Sequence, residues 1–212
     1  MRPYGTHVFL GLLSAALTVY PAERAAAATS ASDTAQSCWQ VAPDSLSLTW
    51  QARWGDTPIV GGFHQADVAI RFDPDHPETA RIHVRIPIAS LYASDPEAVD
   101  LLMDPTWFDP DRHPQAEFTA EGLSLVEKDG WRRHYRTEGR LYLKGRSAPL
   151  ALDIWLTPAA DDKGWKAEAR AVIDRTTYHI GAGAIAEATA PDVALRIHLL
   201  ALPAACRKQP PP

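Results

Sequence analysis

The stretch YRTEGRLYLKGRSAPLALDIWL, residues 135 to 156, carries the pattern that decides the fold. Tyr135, Thr137, Gly139, Leu141 and Leu143 alternate with Arg136, Glu138, Arg140 and Lys144, the period of two expected of a strand with one buried and one wetted face. Gly145 marks a tight turn, after which Leu150, Leu152, Ile154 and Leu156 resume the rhythm. Two amphipathic strands joined by so short a turn run antiparallel.

The same alternation extends outward on both sides. Upstream, Leu46, Leu48 and Trp50 alternate with Ser45, Ser47 and Thr49, and Val68, Ile70 and Phe72 lie opposite Asp67 and Arg71. Ile82, Val84, Ile86 and Ile88 share one face, with Arg81, His83 and Arg85 on the other. Pro87 has no N–H for a ladder, so that strand ends, bulges or runs along an edge there. Downstream come Trp165, Ala167, Ala169, Ala171 and Ile173, then Val193, Leu195, Ile197 and Leu199. One window departs. Ser94 to Met103 offers Ser94 or Asp95 as N-cap, Pro96 in the first turn and a Ser94/Glu97 capping box, which predicts a short helix ending at Asp104, before Pro105. Closely spaced turns and the lack of a βαβ rhythm predict an all-β, antiparallel domain of about eight strands, a barrel or a sandwich.

The 212-residue chain begins with Arg2, an apolar run from Val8 to Val19 and the alanines Ala25 to Ala28, the pattern of a secretory signal peptide over residues 1–28. The run is about 12 residues, against the ~20 that span a bilayer. Residues 29–37 read as a flexible polar lead and 207–212, ending in three prolines, as an unstructured tail. Cleavage leaves about 184 residues, suited to one domain, and moves the net charge from -5 to about -6. No basic run exceeds Arg132–Arg133, so nucleic acid is not an expected partner. The expected location is periplasmic or secreted. In an oxidising compartment the two cysteines, Cys38 and Cys206, form one disulfide joining the termini, the alternative being two unrelated buried thiols.

Enzymatic motifs are missing: there is no GxSxG elbow and no HxH, HExxH or CxxC spacing, so neither catalysis nor a metal is expected. His64, His83, His134 and His198 alternate with apolar neighbours and read as outward strand residues. Asp111 with His113 is a loop pair without a nucleophile, and Asp109, Asp111 and Glu117 read as a solvated loop face.

Gly62–Phe63 followed by IRFDPDHPETARIHVRIPIASL, then LLMDPTWFDPDRHPQAEFTAEGL, GRLYLKGRSAPLALDIWL, IDRTTYHIGAG and DVALRIHLLA resemble the YceI-like family of exported polyisoprenoid-binding proteins. The resemblance covers roughly Trp39 to Ala201 and makes residues 38–206 the YceI-like domain. It implies a lipocalin-like, eight-stranded barrel whose elongated apolar cavity holds a polyisoprenoid or other long-chain lipid, prenylated quinones included, with no further cofactor. Under it, Met103 to Phe118 is a helix-and-loop cover: prolines set its path, acidic residues face water, and Trp107 and Phe108 turn inward. The expected lining is Phe63, Ile70 and Phe72; Ile82, Val84 and Ile86; Phe118, Leu141 and Leu143; Leu152, Ile154 and Ile173; and Leu195 and Ile197, capped by Leu102 and Phe108. His179 departs from the family pattern, standing where a small residue is expected.

A 20-carbon prenyl chain buried at ~0.8 kcal/mol per methylene gains roughly 16 kcal/mol gross, so apolar walls suffice and the identity of the lipid is not legible. The alternative is an exported interaction module, without a lipid, whose partner is a membrane b-type cytochrome. Monomer and dimer both remain open.

Overall fold

Period-two segments become strands throughout the computed structural model, which describes residues 37–160 and 163–206 and contains one twelve-stranded antiparallel sheet. In chain order they are β1 (Cys38–Val41), β2 (Ser47–Trp54), β3 (Thr57–Phe63), β4 (Asp67–Arg71), β5 (Arg81–Pro87), β6 (Leu91–Ala93), β7 (Gln115–Glu121), β8 (Ser124–Asp129), β9 (Arg132–Leu143), β10 (Arg146–Pro158), β11 (Trp165–Asp174) and β12 (Asp192–Ala204). The expected signal peptide, tail and, apart from Ser37, flexible lead lie outside the described residues.

Twelve segments make eight strands because four strands are interrupted. β1 and β2 lie in line along β12, Cys38–Val41 against Ala204–Ala201 and Ser47–Gln51 against His198–Ala194. Opposite them, β4 faces β1 and β3 faces β2. β5 and β6 in turn face β4 and β3, and β7 and β8 share β9. With β9 to β12 unbroken, each strand neighbours the next in sequence, and pairing of β1 with β12 closes the ring. The result is an up-and-down barrel, not a sandwich.

The interruptions have local causes. After β1, Pro43 and a left-handed Asp44 (φ 56°) turn the chain aside, while Leu200 N–H donates to Ser45 Oγ at 3.2 Å and keeps the bulge on β12. Pro87 ends β5 as expected, and one 3-10 turn, Ile88–Ser90, separates it from β6. Gly122 (φ 74°) breaks β7 from β8 in a conformation that side chains resist.

Cys38 and Cys206 form the expected disulfide, with Cα atoms 5.1 Å apart across a sequence separation of 168. It locks the closing strand pair at the end of its ladder, where Cys38 stands opposite Ala204 and Cys206 lies two residues beyond.

Helix α1 (Pro96–Met103) occupies the predicted window, with one correction. Its N-cap is Asp95, whose carboxylate accepts from Glu97 N–H at 3.0 Å. The Ser94/Glu97 capping box does not form, because Ser94 precedes the cap and its own N–H is committed to Val60 O. A second helix, α2 (Gly183–Ala188), was not predicted and lies between β11 and β12. Among the described residues no helix is long and apolar enough to cross a membrane.

Candidate functional site

The inward faces of the strands enclose a cavity of about 240 Å³ that presents no polar surface. That is larger than the ~150 Å³ of a dry cavity that accepts benzene, and somewhat below the ~300 Å³ at which drug-sized pockets begin. All sixteen residues expected to line it do border it: thirteen strand residues from Phe63 to Ile197, Phe72 just past the end of β4, and Leu102 and Phe108 from the cover. Others were missed. Leu48, Trp50, Val193 and Leu199 carried the same alternation as their neighbours, whereas Trp39 and Ile180 carried no periodic signal.

Burial locates the open space. Phe118, Leu141, Leu143, Leu152 and Ile154 are between 5% and 7% exposed, as in a filled core. Ile70, Ile82, Val84, Ile86, Leu195 and Ile197 point to the same axis yet are only half-buried. An inward side chain of a closed barrel has no outer solvent to meet, so this accessible surface faces the interior. Ala167 and Ala169 of β11, also half-buried, leave room beside β12.

One end is closed by the cover. Phe108 meets Phe63 edge to face, with centroids 6.4 Å apart, and buried Trp107 lies 5.8 Å from the guanidinium of Arg175. Arg175 is itself buried; its Nε donates to Ala190 O at 3.0 Å, Nη1 to Ile180 O at 2.7 Å, and Nη2 to Thr189 O at 2.6 Å and to Ala186 O. Three of these carbonyls, those of Ala186, Thr189 and Ala190, lie in the last turn of α2 or just beyond it, where a cation is favoured, although burial draws its pKa below the usual arginine value. Gly181 (φ 93°) completes the arrangement, since a Cβ there would come within 2.8 Å of Nη1. His179, the departure from the family pattern, is exposed on a left-handed cap (φ 53°), and its carbonyl accepts from Lys144 Nζ at 3.0 Å. It does not border the cavity.

The cover corrects one expectation. Asp111 is exposed and Glu117 half-buried, but Asp109 is buried, turned inward by a left-handed backbone (φ 52°) that brings its carbonyl to the N–H groups of Arg112 and His113. At the other end of the barrel Trp39 Nε1 donates to Phe72 O at 2.8 Å, and the Arg133 guanidinium lies 5.4 Å from the Trp165 ring.

Reactive groups sit outside. His83 pairs with Glu117, and His134 with Asp153 at 2.9 Å, both on the outer face. Among the described residues no group of three or more His, Cys, Asp or Glu side chains could hold a metal ion. What the cavity offers chemically is transfer of apolar surface out of water.

A family model described as YceI-like domain matches residues 39–201. A UPF0312 protein of Pectobacterium carotovorum is 32% identical over 104 residues, which is 49% of this chain and 52% of that protein; the match thus spans about half the length of the curated relatives. BcnA of Burkholderia cenocepacia superposes with a TM-score of 0.67 at 21% identity, over 76% of this chain and 99% of that one. A polyisoprenoid binding domain from Saccharophagus degradans, implicated in plant cell wall breakdown, gives a TM-score of 0.58 at 10% identity, over 80% and 99%. These structural likenesses establish a shared barrel fold.

Proposed function

The chain belongs to the YceI-like domain family, and from that premise we propose that it is an exported binding protein that takes one long apolar lipid, a polyisoprenoid, into its barrel and shields it from water. The observation that carries this reading is the set of inward-facing, half-buried apolar side chains around a cavity without polar surface. A prenyl chain gains about 0.8 kcal/mol for each methylene-sized group it hides there, and needs no specific polar partner to be held. The polyisoprenoid-binding neighbour supports the same choice of cargo.

The protein binds its lipid without transforming it. The signal-peptide pattern of residues 1–28 supports export to the periplasm or beyond, as does a disulfide of the kind that oxidising compartments sustain. A lipid-free module for a membrane cytochrome calls for a filled interior, against which the half-buried inward side chains speak. The test is to purify the exported protein without detergent, extract it with organic solvent and identify the extract by mass spectrometry. A long isoprenoid is expected, a prenylated quinone among the candidates. Repeated recovery of no apolar compound, together with no uptake of an added prenylquinone, overturns the proposal.

A further inference from the structure

Hairpin β8–β9 turns through a two-residue loop, Gly130–Trp131, between the paired Asp129 and Arg132. Gly130 (φ 54°) takes the left-handed backbone that so tight a loop requires. Trp131 is left at the tip, 81% exposed, the most exposed large apolar side chain among the described residues. Behind it every residue of β8 is exposed, Leu125 and Val126 included.

The tip stands at the barrel rim. Arg133 lies opposite Leu156, which puts Trp131 level with Pro158, where β10 ends, and Pro158 pairs with Trp165 in the cavity wall. This is the end away from the cover, the length of β9 from the turn where Lys144 donates to the His179 carbonyl.

Charge in the hairpin is sorted by face, because directly opposed residues of an antiparallel pair point the same way. Glu127 and Asp129 lie on the outer face, opposite His134 and Arg132. Lys128, opposite Arg133, lies on the face shared with buried Tyr135, where the hairpin carries no carboxylate. Two cations so opposed repel each other. Arg133 rests over the Trp165 ring, and among the described residues neither cation has an ion-pair partner. A tryptophan at the tip with a cation pair beneath it suits an anionic lipid surface: the indole settles at head-group level, and the long basic side chains reach the phosphates. A protein strand added along β8 would use main-chain groups and require neither the ring nor the cations.

We propose that the tip of hairpin β8–β9 is a membrane-docking element: Trp131 enters the interface of an anionic lipid surface while Lys128 and Arg133 take its head-group phosphates, setting the Trp165 end of the barrel against the membrane. This goes beyond the lipid-binding reading, and either can fail without the other.

The test is flotation of the purified exported protein with vesicles of phosphatidylcholine alone and of phosphatidylcholine mixed with phosphatidylglycerol. The parent protein is expected to favour the mixed vesicles and to leave them as salt is added. Lys128→Ala should weaken that partitioning about fivefold, the worth of one basic residue at an anionic surface. Trp131→Ala should weaken it about tenfold, the low end for burying a large apolar side chain. Val172→Ala, which removes an exposed apolar side chain from the wall of β11, should leave it unchanged. Equal partitioning of the parent and Trp131→Ala, an equal loss in Val172→Ala, or indifference of the parent to phosphatidylglycerol overturns the docking element. Failure of the parent to float with either vesicle also overturns it and leaves the tip to a protein partner. Recovery of an isoprenoid from the same preparation is scored separately, so a hairpin that does not dock leaves the lipid reading intact.

Discussion

β10 and β12 are each thirteen residues long and alternate in the same way, but they build different walls. On β10 the inward Leu150, Leu152, Ile154 and Leu156 are all buried, whereas on β12 the inward Val193, Leu195, Ile197 and Leu199 are only half-buried. The cause lies in what stands beside each strand. β10 pairs with β9, where Tyr135, Thr137, Leu141 and Leu143 are buried in turn. The gap at Gly139 is filled by Phe118, whose Cζ would lie 2.4 Å from a Cβ at that position. On the other side, Leu195, Ile197 and Leu199 face Ala171, Ala169 and Ala167. Both walls contain small residues and a ring, but Trp50 of β2 packs over Gly61 and leaves Ala167 and Ala169 of β11 half-buried, whereas Phe118 fills the gap at Gly139. Hollowness is thus a property of neighbours and not of the strand pattern.

The largest expected effect concerns how the loosely packed wall stays closed. Replacing both Cys38 and Cys206 by serine should lower stability by about 4–5 kcal/mol if the chain-entropy account holds for so long a loop. Amide exchange should then rise in β1 and β12 before it rises in β9 and β10. A uniform rise in all four strands would mean that the two walls do not differ in local stability.

Next is a matched pair of truncations. Ile154→Ala should cost about 2–5 kcal/mol in urea unfolding, and Ile197→Ala roughly half as much, because part of that side chain already lacks packed neighbours. Equal losses would break the contrast between the walls. A gain of volume should behave in the opposite sense. Ala169→Leu should change stability by less than about 1 kcal/mol, where overpacking a filled core costs ~1–3 kcal/mol, and it should cut the lipid recovered from the purified protein about tenfold. Unchanged recovery would place the guest away from β11 and β12.

This contrast also marks what the sequence could reveal. Period two assigned the inward faces of β9, β10, β11 and β12, because side-chain direction in a strand depends only on position, and the missing N–H of Pro87 marked the break there. The Cys38–Cys206 pair was legible as chemistry. Family likeness was needed to choose a barrel, since periodicity does not record which strands pair. The inward turn of Asp109 was hidden because it rests on one left-handed residue among prolines. α2 was hidden because GAIAEA is too short to show a helical period. Leu152 and Leu195 read identically in sequence, although the residues on the strands beside them distinguish a filled wall from an open one.

The smallest effect tests how the two walls are joined on the outside. His134, Trp155, Glu168 and His198 stand in register across β9, β10, β11 and β12. His134 stacks on Trp155 with centroids 4.5 Å apart, and the guanidiniums of Arg132 and Arg170 lie 5.5 and 5.1 Å from the same ring. Glu168 accepts from Arg170 Nε at 2.7 Å, and that hydrogen bond, more than the neighbouring charges, holds its pKa below the ordinary glutamate value. A depressed folded pKa stabilises above the unfolded value of about 4.3, and the gain is lost as pH falls through the lower folded value. Glu168→Gln should therefore cost less than about 1 kcal/mol at pH 7, with the difference from the parent protein shrinking as pH drops below about 4 and as salt is added. A difference that persists in acid would show that residue 168 joins the walls through packing against Trp155 and not through its charge.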